Sequence, residues 1–218
     1  MPSVRKKPID RKKPGGPQKG SGLKKAKTGG DSVGRCPWPT QGDPIYIDYH
    51  DREWGVPVHD DFKIYEFLVL EIFQAGLSWR TVLHKRERFR QAFAGFDYRK
   101  VARFGRREIA RLLNDSGIIR NRLKIEAAIH NAQRFIEVRN EYGTFARYMW
   151  TWVNGKPIQH AWRTLSDYPP FTEEAVAWAK DLKQRGFRFL GPTVLYAHMQ
   201  AVGMVNDHIV DCFRHRSP

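Results

Sequence analysis

The sequence lacks the features of a disulfide-rich, secreted or membrane-spanning protein. It has two cysteines in 218 residues, which excludes a scaffold built on several disulfides. It has no apolar run of about 18 residues that could form a transmembrane helix. The first residues, MPSVRKKPID, lack the apolar stretch of a secretory signal. We therefore expect a cytoplasmic protein with no membrane partner.

Acidic and aromatic residues are scarce at the start of the chain. Residues 1–35 hold eleven Lys and Arg, two Asp, seven Gly, four Pro and no aromatic residue. Such a segment cannot bury enough apolar surface to offset its ordering entropy. The composition predicts a disordered basic tail that contacts nucleic-acid phosphates in a salt-sensitive way. A tail that only improves solubility is the alternative.

The rest of the chain lacks the alternation of apolar and polar residues that is typical of strands. Its apolar residues recur instead with the period of a helix. Asp61 precedes a nearly continuous apolar run that ends before Gly76, which is typical of a buried helix. Residues 36–218 are therefore predicted to form one all-α domain. Further helices are predicted over 79–93, 106–115, 121–141, 145–153, 173–185 and 192–203.

The two cysteines each have a histidine nearby in the sequence. The pairs are Cys36 with His50, thirteen residues between them, and His208 with Cys212, three between them. Two Cys and two His complete a tetrahedral zinc site with no open position, which is typical of structural zinc. Such a zinc would join the first and last segments of the domain. Unrelated buried thiols, or a disulfide between the cysteines, are the alternatives. Asp51 and Asp207 adjoin the histidines, and either could orient a ring.

Glu71 is a lone carboxylate in the apolar segment LEIFQAG. A buried, unpaired carboxylate is costly and is retained where it binds or reacts with a ligand. Exposure, or pairing with an arginine, is the alternative. Electron-rich rings beside a carboxylate suit a flat cationic ligand, although rings also fill ordinary cores. The aromatic residues concerned are Trp38, Tyr46, Tyr49, Trp54 and Trp79.

The segment LLNDSGIIRNRLKI, residues 112–125, predicts two helices that meet at Gly117. Backbone N–H groups of such a turn, with the next helix N-terminus, can bind a phosphate. Arg120, Arg122 and Lys124 would add positive charge. A plain helical corner with a solvated basic edge is the alternative.

Five strings in this order resemble the DNA-3-methyladenine glycosylase I family, over about residues 35–213. They are YHDREWGVP, LEIFQAGLSW, SGIIRNRLKI, KQRGFRFLGPT and MQAVGMVNDH. The resemblance implies a helix-hairpin-helix glycosylase with a structural zinc that joins the termini. It implies a monomer, in the bacterial cytoplasm or nucleoid, that flips 3-methyladenine out of alkylated double-stranded DNA and hydrolyses its glycosidic bond in base-excision repair.

The resemblance also implies roles for single residues. Glu71 would be the catalytic pocket carboxylate, either as a binding group for the flipped base or as a base that activates water. No lysine is identified as a nucleophile beside the hairpin, so we expect a monofunctional enzyme. The zinc ligands would be Cys36, His50, His208 and Cys212. Tyr49 and Trp79 would stack on the base, with Trp38, Tyr46 and Trp54 lining the pocket. The DNA backbone would contact Gly117, Ile118, Ile119, Arg120 and Arg122.

Two features depart from the family pattern. The loop between Cys36 and His50 is one residue longer than expected. Ile72 and Phe73 follow Glu71 where smaller or polar residues are expected. Phe73 is predicted to fill the pocket or to add a stacking surface, which would shift the lesion range. Two rival functions remain at this point: a non-catalytic zinc-stapled DNA-binding module, and a zinc hydrolase or nuclease that needs an open coordination site.

Overall fold

The computed structural model describes residues 34–39 and 42–216, and in these ranges the regular structure is almost entirely helical. The predicted all-α class is confirmed. The predicted tail, residues 1–35, lies outside the described residues except for Gly34 and Arg35. The helices are α1 Pro44–Arg52, α2 Asp61–Gln74, α3 Trp79–His84, α4 Arg86–Ala92, α5 Tyr98–Val101, α6 Arg106–Asn114, α7 Arg122–Tyr142, α8 Phe145–Thr151, α9 Glu173–Gln184 and α10 Pro192–Ala201.

Side-chain caps begin several of these helices, and α2 begins at Asp61, so its cap is Asp60. The carboxylate of Asp60 accepts from Lys63 N, and the amide oxygen of Asn121 accepts from Lys124 N. These bonds satisfy N–H groups that have no partner within the helix. The one helix predicted over 79–93 is instead two, α3 and α4. The helix is interrupted at Lys85, whose N–H donates to Val82 O three residues earlier. The Lys85 ammonium donates to Gly117 O.

Helix α2 lies at the centre of the domain and packs against α7, α8 and α10. All its residues from Ile64 to Phe73 are buried. Tyr65 OH donates to Ala128 O of α7 at 2.9 Å. The carboxylate of Asp61 accepts from the first N–H groups of α8. These contacts hold α2, and therefore Glu71, in a fixed place inside the domain.

Two short strands, β1 Ile158–Gln159 and β2 Val205–Asn206, pair in parallel next to the last loop of the described domain. Ile158 is paired with Val205, and Gln159 with Asn206. The pair anchors the segment that leads to His208. Within the described ranges, the helices are all too short or too polar to cross a membrane.

Candidate active site

A cavity of about 180 Å³ opens beside α2. It contains Glu71 and all five of the aromatic residues singled out in the sequence. Helix α1 supplies Tyr46 and Tyr49, and α3 supplies Trp79. The structure therefore brings together side chains that are more than 40 positions apart in the sequence. The lining residues are Trp38, Tyr46, Tyr49, Trp54, Glu71, Gln74, Trp79, Tyr168, Ala197 and Gln200.

The rings of the cavity contact one another at its walls. The ring centroids of Tyr49 and Trp79 are 5.2 Å apart, with their planes at 48°. Trp38 lies 5.1 Å from Tyr46 and 5.0 Å from Trp54. Such tilted and edge-on contacts are the favoured arrangements for aromatic rings. They hold several ring faces around one space that a flat molecule can enter.

Glu71 is the carboxyl group of this cavity, and it is buried, with 4% of its surface exposed. Among the residues that the structure describes, none forms a hydrogen bond with its Oε2. Burial raises the pKa of Glu71 from 4.5 to about 8, since desolvation disfavours the carboxylate. The indole N–H of Trp79 is also buried without an acceptor. Two residues of the cavity lining, Glu71 and Trp79, therefore each have a buried polar atom that no other described residue satisfies.

Phe73 does not reach this cavity, which corrects its expected place in the base pocket. It is fully buried against Phe89 and Phe93, with centroid distances of 4.7 and 5.9 Å. Two residues along a helix turn the side chain by about 200°, so Phe73 points away from the face of Glu71. Ile72 is also fully buried in the core. Ile72 and Phe73 therefore belong to the core, and neither lines the cavity.

The carboxylate of Asp43 links α1 and α3, two of the helices that supply side chains to the cavity. Its carboxylate accepts from His84 Nε2 at 2.8 Å and from Arg80 Nε at 2.5 Å, both on α3. It also accepts from Tyr46 N and so caps α1. The hydrogen bond from His84, with that from Arg80, lowers the pKa of Asp43 to about 2. These hydrogen bonds hold α1 against α3, and they therefore set the distance between the aromatic rings that the two helices supply to the cavity.

The loop 115–121 between α6 and α7 forms the predicted hairpin. Asp115 Oδ1 accepts from Gly117 N at 2.9 Å and from Arg88 Nε at 3.0 Å. A Cβ atom at Gly117 would lie 2.3 Å from Cγ of Arg88. Only glycine therefore fits here while Arg88 keeps this position.

The outer face of the hairpin is basic and has free donors. The N–H groups of Ile119 and Arg120 have no acceptor within the described residues. Arg120 is exposed, and the side chain of Arg122 is 61% exposed. Ile118, by contrast, is buried and anchors the loop. The predicted charge at Lys124 is not on this face, because Lys124 is 7% exposed and points inward.

The four predicted metal ligands form one buried cluster, with their donor atoms all within 4.8 Å of one another. Cys212 Sγ lies 3.4 Å from His208 Nδ1 and 3.6 Å from His50 Nε2. Cys36 Sγ lies 3.5 Å from His208 Nδ1. A tetrahedral ion with bonds of about 2.3 Å to sulfur and 2.05 Å to nitrogen requires edges of about 3.5 Å. The donor set therefore fits a metal ion.

The second nitrogen of each histidine ring has its own partner. His50 Nδ1 bonds to Asp51 Oδ1 at 2.7 Å, and His208 Nε2 donates to Trp54 O at 3.0 Å. These bonds orient His50 Nε2 and His208 Nδ1 toward the cluster. Asp207 does not orient a ring of the cluster. Its buried carboxylate instead accepts four hydrogen bonds, from His160, Trp162, Tyr196 and Gln200.

Sequence reasoning missed four of the lining residues. Gln74 and Gln200 lie within the family-like strings LEIFQAGLSW and MQAVGMVNDH, so those strings contained the available signal. Ala197 is small and carries no chemical signature. Tyr168 lies in an irregular segment outside the five strings. It reaches the cavity wall because its hydroxyl donates to Asp207 O.

Comparisons with known proteins identify the family of this chain. The methyladenine glycosylase family model matches residues 38–215. DNA-3-methyladenine glycosylase 1 of Escherichia coli (strain K12) is 48% identical over 178 residues, which are 82% of this chain and 95% of the relative. DNA-3-methyladenine glycosylase of Haemophilus influenzae is 46% identical over 178 residues, 82% of this chain and 96% of that protein.

Solved structures are similar over the same region. A crystal structure of 3-methyladenine DNA glycosylase I superposes with a TM-score of 0.78 at 47% identity, covering 82% of this chain and 98% of the other. A structure of the Staphylococcus aureus enzyme, described as the basis of 3-methyladenine recognition, has a TM-score of 0.80 at 37% identity, covering 84% and 97%. The chain belongs to the methyladenine glycosylase family.

Proposed function

We propose that this protein is a monofunctional DNA glycosylase that hydrolyses the glycosidic bond of 3-methyladenine in alkylated double-stranded DNA. The observation that carries the proposal is Glu71, a buried carboxyl with an unpartnered oxygen in a cavity walled by aromatic rings. The family membership supports the reaction class. The cavity chemistry supports a flat, positively charged ligand.

The chemistry of 3-methyladenine explains why a cavity with few polar groups is sufficient for its excision. A 3-methylated adenine carries positive charge and is a good leaving group, so the enzyme needs selection more than activation. Each aromatic face attracts the cationic ring by about 0.5–2 kcal/mol. A neutral adenine gains less from the rings and from Glu71. The base must first leave the helical stack, which costs least for a damaged base.

Glu71 acts in this proposal as the partner of the cationic base. Because burial raises its pKa to about 8, it is mostly protonated at neutral pH. A bound cation favours the carboxylate, so binding releases a proton. The carboxylate then stabilises the cation and hydrogen-bonds to the base. An alternative role, activation of the attacking water, uses the same carboxylate as a general base.

The hairpin is proposed to hold the DNA backbone. The unpaired N–H groups of Ile119 and Arg120, with the N-terminus of α7, would donate to phosphate oxygens. Arg120 and Arg122 would add charge, while Gly117 and Ile118 shape the loop. Binding through these groups would be salt-dependent and independent of sequence.

Zinc is the metal proposed for the cluster of Cys36, His50, His208 and Cys212. Sulfur and imidazole donors at tetrahedral spacing favour it. It would supply a structural crosslink, because the protein fills all four positions. That full donor set argues against a hydrolase that activates water on the metal. We also propose that the protein acts as a monomer, in the bacterial cytoplasm at the nucleoid, where its DNA substrate lies.

The test is release of free bases from methylated DNA, identified by chromatography. The wild-type protein should release 3-methyladenine, and Glu71→Gln should lose most of this activity while still binding undamaged duplex. Glu87→Gln is the matched control, since Glu87 is 68% exposed and remote from the cavity lining. No release by folded, DNA-binding wild-type protein would favour the non-catalytic binding module. Release of a different base would mean a shifted lesion range.

A further inference from the structure

Lys124 lies at the start of α7, beside the exposed basic residues of the hairpin, but it faces the interior. Its ammonium donates to Phe73 O at 3.0 Å and to Ala75 O at 2.5 Å. Both carbonyls belong to the C-terminal end of α2, the helix that carries Glu71. The residue therefore connects the hairpin with the helix that supplies the pocket carboxylate.

This position is unfavourable for a lysine unless α2 compensates for it. Burial lowers the pKa of Lys124, since the ammonium loses water. A cation in the first turn of α7 also faces the positive end of that helix. The last carbonyls of α2 carry the opposite partial charge, and α2 has no basic residue of its own in its last turn. Lys124 supplies that cation from another helix.

The carbonyls that Lys124 binds lie between two cavity residues. Phe73 is two positions after Glu71, and Ala75 is four positions before Trp79. The residues 75–78 are all exposed, so little packing holds this stretch in place. The two bonds from Lys124 therefore fasten the end of the Glu71 helix to the first turn of α7.

The backbone of Lys124 belongs to the hairpin. Its N–H donates to the side chain of Asn121, the last residue of the loop, at 3.2 Å. A second lysine reaches the same loop from the pocket side, because Lys85 Nζ donates to Gly117 O at 3.2 Å. The hairpin and the pocket helices are thus joined by the ammonium groups of two lysines. Of these, only that of Lys124 reaches the Glu71 helix.

We propose that Lys124 is a positioning residue that sets the distance and orientation between the DNA-binding hairpin and the base cavity. Phosphates held at the hairpin fix the duplex, and Lys124 fixes Glu71 and Trp79 relative to that duplex. A base that leaves the stack then arrives at the carboxylate. This inference rests on the proposed glycosylase function, because it concerns the delivery of a base from DNA.

The test compares Lys124→Met, which removes the donors, with Lys124→Arg, which keeps the cation. Three quantities are measured: single-turnover excision of 3-methyladenine at saturating DNA, affinity for free 3-methyladenine, and affinity for undamaged duplex. Lys124→Met should excise about 10- to 100-fold more slowly, the loss expected when reacting groups are misplaced by up to about 1 Å. Both affinities should change by less than about threefold, because the cavity and the hairpin each stay intact. Lys124→Arg should recover part of the rate.

Lys180→Met is the control for loss of a lysine, because Lys180 is exposed on α9 and lines no part of the Glu71 cavity. Excision by Lys124→Met at the wild-type rate would overturn the positioning role. A fall in free-base affinity equal to the fall in rate would also overturn it, since Lys124 would then maintain only the cavity. Melting temperatures identify a variant that fails to fold, and Lys124→Arg then carries the test. Absence of release by the wild-type protein would instead refute the glycosylase function.

Discussion

Glu66 and Glu71 are both buried on α2, but only Glu66 is neutralised by partners. Glu66 Oε1 accepts from Arg86 Nε at 2.8 Å and from Arg90 Nη2 at 2.6 Å. Glu71 Oε2 accepts no hydrogen bond from any residue in the described part of the chain. One helix therefore carries a carboxylate paired with two arginines and, about one and a half turns later, a carboxyl with an oxygen that no described residue contacts by a hydrogen bond.

This contrast predicts opposite effects of neutralising the two side chains. In the folded protein the pKa of Glu71 is about 8, above its usual 4.5, so between these values the native state holds a proton that the unfolded chain releases. Stability is therefore lost as pH rises through this window. Glu71→Gln cannot lose this proton, so its free energy of unfolding should exceed that of the wild-type protein. The difference should grow by up to about 1.4 kcal/mol for each pH unit within the window. Denaturant unfolding at pH 5, 6.5 and 8 measures it.

Glu66→Gln is the matched control on the same helix. It removes the buried carboxylate that Arg86 and Arg90 share, although Arg86 still pairs with Glu53 and Arg90 with Glu87. Breaking a buried pair costs up to about 3–5 kcal/mol. It should be destabilised at all three pH values. A constant difference between Glu71→Gln and wild type across this range would contradict the assigned protonation of Glu71.

Metal removal is expected to lower stability in a graded way. Cys212→Ser should lose the ion, and where free zinc exceeds its dissociation constant a thousandfold this loss is worth about 4 kcal/mol. Asp51→Asn keeps all four donors but weakens the bond that orients His50, so zinc affinity should fall by about 10- to 100-fold. Metal content and melting temperature are measured with and without chelator. Equal melting temperatures for the wild-type protein in both conditions would exclude a structural metal.

The close approach of Gly117 and Arg88 predicts a non-additive pair of substitutions. Gly117→Ala places a Cβ atom 2.3 Å from Arg88 Cγ, which must distort the hairpin and weaken duplex binding. Arg88→Ala removes the clash, so the double variant should bind like Arg88→Ala alone. The coupling in this double-mutant cycle should be about 1–3 kcal/mol, measured by fluorescence anisotropy on duplex DNA. Additive losses would mean that the glycine has another role.

A further prediction concerns the contribution of the basic tail to DNA binding. Removing residues 1–33, with ten Lys and Arg and two Asp, should flatten the salt dependence of duplex binding, by about 0.9 in the log–log slope for each phosphate that the tail neutralises. The deletion ends before Gly34, whose carbonyl accepts from Phe213 N, and before Arg35, which pairs with Asp51. The domain should therefore keep its melting temperature. An unchanged slope would mean that the tail does not bind the DNA.

The metal cluster and Glu71 were predictable because their chemistry is visible in the sequence. A cysteine with a nearby histidine, found twice, needs no knowledge of the fold to indicate a ligand set. A charged residue inside an apolar run signals its own burial cost. The all-α class followed from helical periodicity and capping residues in the same way.

Phe73 and Lys124 were not predictable, because the direction of a side chain at a helix end depends on what packs there. Lys124 follows two arginines in a basic string, and nothing local indicates that it turns inward. Its partners, the carbonyls of Phe73 and Ala75, are about 50 positions earlier in the chain. Tyr168 is a similar case, since a tertiary hydrogen bond brings it to the cavity.

The long separation between the two halves of the metal cluster has a consequence for biosynthesis. His208 follows Cys36 by 172 residues, and Cys212 comes later still. At a synthesis rate of about 5–20 residues per second, the first pair waits roughly 9–34 seconds for the second. During this time Cys36 and His50 are present without the other two donors of the cluster. In the proposed zinc site, the ion would therefore gain its full set of four ligands only near the end of synthesis of the chain.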